Sequence, residues 1–169
     1  MSPFLQLLEH RVEVPRDALA AYVRAQLGGG LRRAGVSAEF TLAGAREAWG
    51  RLDPAPAAPS LALIWSSRTF AGTENAACLA ELREGALPMP FQFIASQPHM
   101  AAVHAQGLFP GLAQATTLAG AGMEEDLLEG LALGKPWTHV LLGEVWTPAP
   151  WQEGGDRFRA VWRVLGYCP

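Results

Sequence analysis

Two short, uninterrupted apolar runs constrain this chain more than any other feature. They are Leu61-Ala62-Leu63-Ile64-Trp65 and His139-Val140-Leu141-Leu142. A strand that reads as a continuous apolar run is buried on both faces, which in most domains means a parallel sheet covered by helices. The intervening sequence supplies such helices. Thr73 to Arg83 is helical and closed by Gly85, and Pro88-Met89-Pro90 forms a rigid turn. Gln97 to Gln106 is Ala-rich, with Pro98 tolerated in its first turn. Met123 to Leu133 is a further helix, with Glu124, Glu125 and Asp126 at its positive end. Ala113 to Leu118 reads as a strand, and Phe158 to Leu165 alternates as an edge strand does. Strands separated by helices predict a layered α/β sandwich.

The N-terminal third reads differently. Pro15 to Arg33 has Leu19, Tyr22, Val23 and Leu27 at helical spacing, and Gly28-Gly29-Gly30 ends or breaks that helix. The three glycines also suggest a phosphate loop, but no strand precedes them and no Gly-Lys-Ser/Thr follows. A second helix is expected over Leu42 to Leu52, capped by Thr41. Phe4 to Leu8 is a short apolar patch, too short for the core of a signal peptide. Asp53 to Pro59 is a Pro/Ala connector that cannot continue a helix. The organisation expected is one domain over 1–169, with a helical part at 1–53, a connector at 54–60 and a core at 61–169.

Composition removes several classes of function. Half of the 169 residues are hydrophobic and 17% are charged, enough apolar material for one packed core. A net charge of -3, with 13 Lys and Arg thinly spread, argues against a nucleic-acid partner. Cys78 and Cys168 have neither disulfide-framework nor metal-ligand spacing. No run approaches the roughly 20 apolar residues of a membrane span, so the cytoplasm is expected. His99 and His104 are five apart and do not form the i, i+4 metal pair. No cofactor or metal is expected. Trp146, Trp151 and Trp162 fall close to Pro148 and Pro150, a cluster suited to covering an edge or a partner surface.

From Leu61 to about Pro148 the order of signals resembles the N-terminal half of a β-ketoacyl synthase, the thiolase fold. The buried strand ends in Ser66-Ser67, and a helix and Gly85 follow. Pro90-Phe91-x-Phe93-x-x-Ser96 then leads into the Ala-rich helix. Ala115-Thr116-Thr117-Leu118 comes next, then the small-residue turn Ala119-Gly120-Ala121-Gly122, a helix, and Val140-Leu141-Leu142-Gly143-Glu144. The likeness is greatest to the truncated, chain-length-factor-type subunits of aryl polyene and fatty-acid-like clusters. It implies an α/β, layered, thiolase-like half-domain with a central mixed sheet covered by helices.

The resemblance also implies a chemistry that these residues cannot perform. In active synthases a nucleophilic Cys sits on the turn between this strand and this helix, where the helix dipole lowers its pKa. Here Ala119, Gly120, Ala121 and Gly122 offer no side-chain heteroatom, so no acyl-enzyme forms there. The two catalytic His residues of active members have no counterpart either. The expected role is a non-catalytic accessory or assembly subunit in acyl-chain or polyketide-type biosynthesis. In the family, the segment matching Gln97–Leu118 builds the dimer interface, which makes Gln97, Ala101, His104, Ala115 and Thr117 interface candidates. The expected partners are a second copy or an active ketosynthase, together with an acyl carrier protein. The alternative is a small acyl-thioester hydrolase using Ser67 or the pair His139 and Glu144.

Overall fold

The computed structural model describes residues 3–67, 69, 71–97, 99–119, 137–148 and 156–168. Five strands make one sheet: β1 (Phe4–Pro15), β2 (Leu61–Ser67), β3 (Leu112–Ala119), β4 (His139–Trp146) and β5 (Arg157–Tyr167). Their order across the sheet is β1-β5-β4-β2-β3. β2 runs parallel to both β3 and β4, while β5 is antiparallel to both β4 and β1. Among the described residues five helices accompany them: α1 (Leu19–Leu27), α2 (Val36–Gly50), α3 (Gly72–Arg83), α4 (Pro90–Ala95) and α5 (Met100–Ala105). The layered α/β class is as the sequence predicts, and the sheet is mixed.

The two apolar runs lie where their burial demands. Leu61 to Trp65 of β2 and Val140 to Leu142 of β4 are almost wholly shielded, because helices cover one face and a second apolar cluster fills the other. On the first face α1, α2 and α5 pack over Leu61, Leu63, Trp65, Leu141 and the inward side of β5. Phe40 of α2 meets Phe158 of β5 with ring centroids 5.2 Å apart. Trp162 of β5, fully buried, lies between two glycines. A Cβ on Gly44 of α2 would stand 2.7 Å from its Nε1, and one on Gly143 of β4 would stand 2.6 Å from its Cη2. Those two missing methyl groups let the helix, the indole and the neighbouring strand close up.

Several expectations are corrected. The N-terminal part is not purely helical, because Phe4–Pro15 is a twelve-residue strand pairing along β5. Its alternation of Val12 and Val14 inward with Glu9, Arg11 and Glu13 outward is the period-2 signature of a half-covered strand. β5 is consequently not an edge strand; it lies between β1 and β4. It alternates because only the face bearing Phe158, Ala160, Trp162 and Val164 lies in the large core. Trp162 is therefore core, and not part of an aromatic cover. The first helix is shorter than expected, since Pro15 ends β1 and a 3-10 turn at Arg16–Ala18 precedes α1. Gly28 closes it at φ 77, donating its N–H to the Arg24 carbonyl.

The second helix begins at Val36, and Thr41 is no cap but a buried residue within it, donating its hydroxyl to the Ser37 carbonyl at 2.8 Å. The acceptor for this helix start comes from α3. Glu74 accepts the Ser37 N–H at 2.8 Å and its hydroxyl at 2.7 Å. A side chain on Gly35 would collide with that carboxylate. The expected helix over Gln97–Gln106 contracts to Met100–Ala105, and α4 follows directly on the proline turn. The expected helix over Met123–Leu133 lies outside the described residues, as does Trp151.

Candidate functional site

In open α/β sheets, ligands bind beyond the carboxyl ends of parallel strands. Here β2, β3 and β4 end together, with Ser67 beside Ala119 on one side and Val145 on the other. A small cavity of about 20 Å³ opens at this end, lined by Ser37, Thr41, Ser67, Gln97, Thr117 and Thr147 among apolar neighbours that include Trp65 and Ala101. That is room for about one water molecule. None of its lining residues is ionisable among the described residues.

The hydroxyl groups around it are mostly committed. Thr147 and Thr69 share a hydrogen bond at 2.9 Å, and the Thr147 N–H donates to the Thr69 hydroxyl. Thr73 donates to the Pro148 carbonyl at 2.7 Å, and Ser37 donates to Glu74. The Thr117 hydroxyl oxygen is buried without a hydrogen-bond partner. Five hydroxyl side chains and one amide thus converge from α2, β2, β3 and two loops. No local sequence signal marks them, because they come together only when the strand ends align. They can orient a neutral polar group or a water, and Ser37 already donates its hydroxyl to the Glu74 carboxylate.

The residues named for a hydrolase lie apart in this geometry. His139 pairs with Leu61 at the opposite end of the sheet, six residues along β2 from Ser67, or about 20 Å at strand rise. His139 packs edge-on against Trp49, and burial holds its pKa below the usual imidazole value. Glu144 lies five residues along the same strand, so the two side chains point to opposite faces. It stands 3.7 Å from Arg163. Neither Ser67 with His139 nor His139 with Glu144 is an acid/base unit.

Ala119 is the last residue of β3; Gly120, Ala121 and Gly122 lie outside the described residues. The interface candidates divide. Ala115 and Thr117 lie on β3, which pairs only with β2 among the described strands. Gln97 lines the cavity. Ala101, at 2% exposure, faces inward with Ala105, so the small-residue side of α5 is spent on packing within the chain. His104, on the same helix, has a buried Nε2 without a hydrogen-bond partner. The aliphatic side chain that α5 shows to solvent is Val103. Among the described residues no group of three or more His, Cys, Asp or Glu is arranged for a metal ion.

No family model matches the sequence, and no curated protein does. Solved structures do match. A structure of a ketosynthase in complex with its chain length factor, from Xenorhabdus doucetiae, superposes over 96% of this chain and 78% of the matched one, with a TM-score of 0.62 at 14% identity. The fold is that of a ketosynthase-like half-domain. An HMG-CoA synthase from a Bacillus species superposes over 98% of this chain but only 42% of its own, with a TM-score of 0.50 at 12% identity. The thiolase-like half-domain is thus one part of the larger synthase and most of the smaller matched chain. Among the described residues no helix is long and apolar enough to cross a membrane.

Proposed function

We propose that this half-domain is a non-catalytic, ketosynthase-like accessory subunit that pairs with an active ketosynthase in acyl-chain or polyketide-type biosynthesis. The observation that carries the reading is β3 at the end of the described sheet, on a fold that superposes on a structure of a ketosynthase in complex with its chain length factor. An exposed strand edge is a template for pairing, and natural proteins cover or block it. The coverage figures give further support. The same chain fills 78% of one neighbour and 42% of the other, so the first is little over half as long. The heteroatom-free turn sequence agrees with a pseudoenzyme whose partner holds the nucleophile. An aryl polyene is the acyl product that the sequence resemblance suggests, and an acyl carrier protein would deliver the chain to the partner.

Two measurements test this reading. The purified chain should gain no stable acyl mass on incubation with acyl thioesters, and intact-mass detection of an adduct on Cys78, Cys168 or elsewhere would contradict the pseudoenzyme assignment. Co-produced with the ketosynthases of its own genome, it should be recovered in a defined complex with one of them. Ala115→Asp, which puts a charge into β3, should dissolve that complex or make the chain insoluble. A native chain that stays monomeric beside every such ketosynthase would refute the proposal.

A further inference from the structure

A second hollow lies at the other end of the sheet from the hydroxyl-lined cavity. It is an open groove of about 540 Å³, within the roughly 300–1,000 Å³ of ordinary small-molecule sites. Its walls include Gln26 of α1, Arg46, Trp49 and Arg51 along the C-terminal part of α2, and Leu108 and Pro110 of the segment between α5 and β3. The Trp49 ring meets His139, the first residue of β4, edge-on, which fixes the groove at the amino ends of the parallel strands.

The two arginines in it are not equivalent. Arg51 donates to Glu47 at 2.9 Å, and Glu47 also accepts the Tyr22 hydroxyl at 2.8 Å, so that pair is closed on itself. Arg46 meets no carboxylate among the described residues. Its Nη1 donates to the Leu108 carbonyl at 2.7 Å, a bond that reaches across from α2 and holds the guanidinium at the groove. A guanidinium carries its N–H donors in a planar fork, so one such bond leaves an edge able to grip an anion in two places. The negative end of α2 does not oppose this, because the Ala48 and Trp49 carbonyls accept the N–H groups of Arg51 and Leu52. The remaining wall is flat and apolar, made by the half-buried Trp49 indole with Leu108 and Pro110. Such a wall suits a ring that stacks.

We infer that this groove binds a small organic anion with a flat apolar body, of the class of aromatic carboxylates, with Arg46 gripping the charge and Trp49 flanking the ring. Both walls are needed to select it. Inorganic phosphate would satisfy Arg46 and leave the apolar wall wet, whereas a neutral ring would leave Arg46 to water. Gln26, half-buried in the same wall, offers both a donor and an acceptor to a polar substituent on the ring. The groove is lined by this chain's own residues, so its occupation does not depend on the pairing proposed above.

The test is calorimetric titration of the full chain with benzoate, benzamide and inorganic phosphate. Benzoate should bind at a single site with a Kd on the order of 0.1–1 mM, and the Trp49 indole N–H resonance should move as it binds. Benzamide and phosphate should each bind at least about tenfold more weakly. Arg46→Met changes an exposed side chain, should fold with unchanged circular dichroism, and should weaken benzoate binding at least about tenfold. Arg83→Gln, on α3 and outside the groove, should leave it unchanged. A native chain that binds no benzoate at about 10 mM overturns the inference. So does benzamide or phosphate binding as tightly as benzoate, or an Arg46→Met chain that binds benzoate as the native one does.

Discussion

Gly143→Ala is the most informative single substitution in the body of the fold. A methyl group there would lie 2.5 Å from Cε3 and 2.6 Å from Cη2 of Trp162, with Cζ3 in collision. Carbon atoms in contact prefer about 3.5–4.0 Å, so indole and strand must separate by about 1 Å. The ring has nowhere to go, because it is fully buried and its other side is closed by Gly44. Overpacking of this kind costs about 1–3 kcal/mol, and a ring closed in on both sides belongs at the upper end. For a domain of this size about 3 kcal/mol corresponds to a fall in Tm of about 6–12 °C. Thermal unfolding followed by circular dichroism and tryptophan fluorescence reads it directly. Trp162→Leu removes the obstructing ring and is itself destabilising, but in that background Gly143→Ala should cost little, a coupling of at least about 1 kcal/mol. If Gly143→Ala melts within about 1 °C of the parent, or carries the same penalty in both backgrounds, the closure of α2 onto the sheet through Trp162 is wrong.

Other predictions concern the carboxylates. Burial pushes the Glu47 carboxyl up, but hydrogen bonds from Arg51 and Tyr22 and the nearby His10 outweigh it and hold its pKa below the ordinary value. A depressed pKa contributes stability above the unfolded value, lost as pH falls through the folded one; Glu47→Gln should therefore flatten the decline in Tm between about pH 5 and 3. Glu39 has the opposite sign, since burial, with the Glu74 charge adding to it, raises its pKa. Its ionisation costs stability above the ordinary value, a cost relieved as pH falls through the folded one, so Glu39→Gln should not lower Tm at pH 7, because its amide oxygen still accepts the Leu31 N–H. Glu74→Ala removes both acceptors at the start of α2 and should cost about 1–2 kcal/mol in denaturant unfolding, whereas an unchanged midpoint would mean that water replaces them.

What the sequence disclosed, and what it hid, follows from the range of the forces involved. The interiors of β2 and β4 were legible because burial on both faces leaves an apolar run that no other element of that length produces. Gly28 was legible because a left-handed residue after a helix is a local requirement. β1 was passed over although Val12 and Val14 alternate with charges, because its pairing partner lies beyond residue 156. Thr41 was misassigned as a cap because the acceptor that serves the start of α2 comes from Glu74, 37 residues from Ser37. The inward packing of α5 was not legible, because Ala101 and Ala105 serve the chain's own core only once that short helix lies against the sheet. The hydroxyl-lined cavity left no trace in the sequence, since its members are gathered by strand register alone.

The strand order also sets a schedule for biosynthesis. β5 is the last of the described strands to leave the ribosome, yet it sits inside the sheet and is the neighbour that β1 pairs with. β1 must therefore wait while some 140 residues are added, on the order of 10–30 s at ordinary elongation rates. Through that interval its Val12 and Val14 have no sheet to join. Its alternating Glu and Arg residues keep the waiting segment dispersed until its partner arrives. The charges along β1 thus act twice, first as a guard on a nascent chain and afterwards as the finished rim of the sheet.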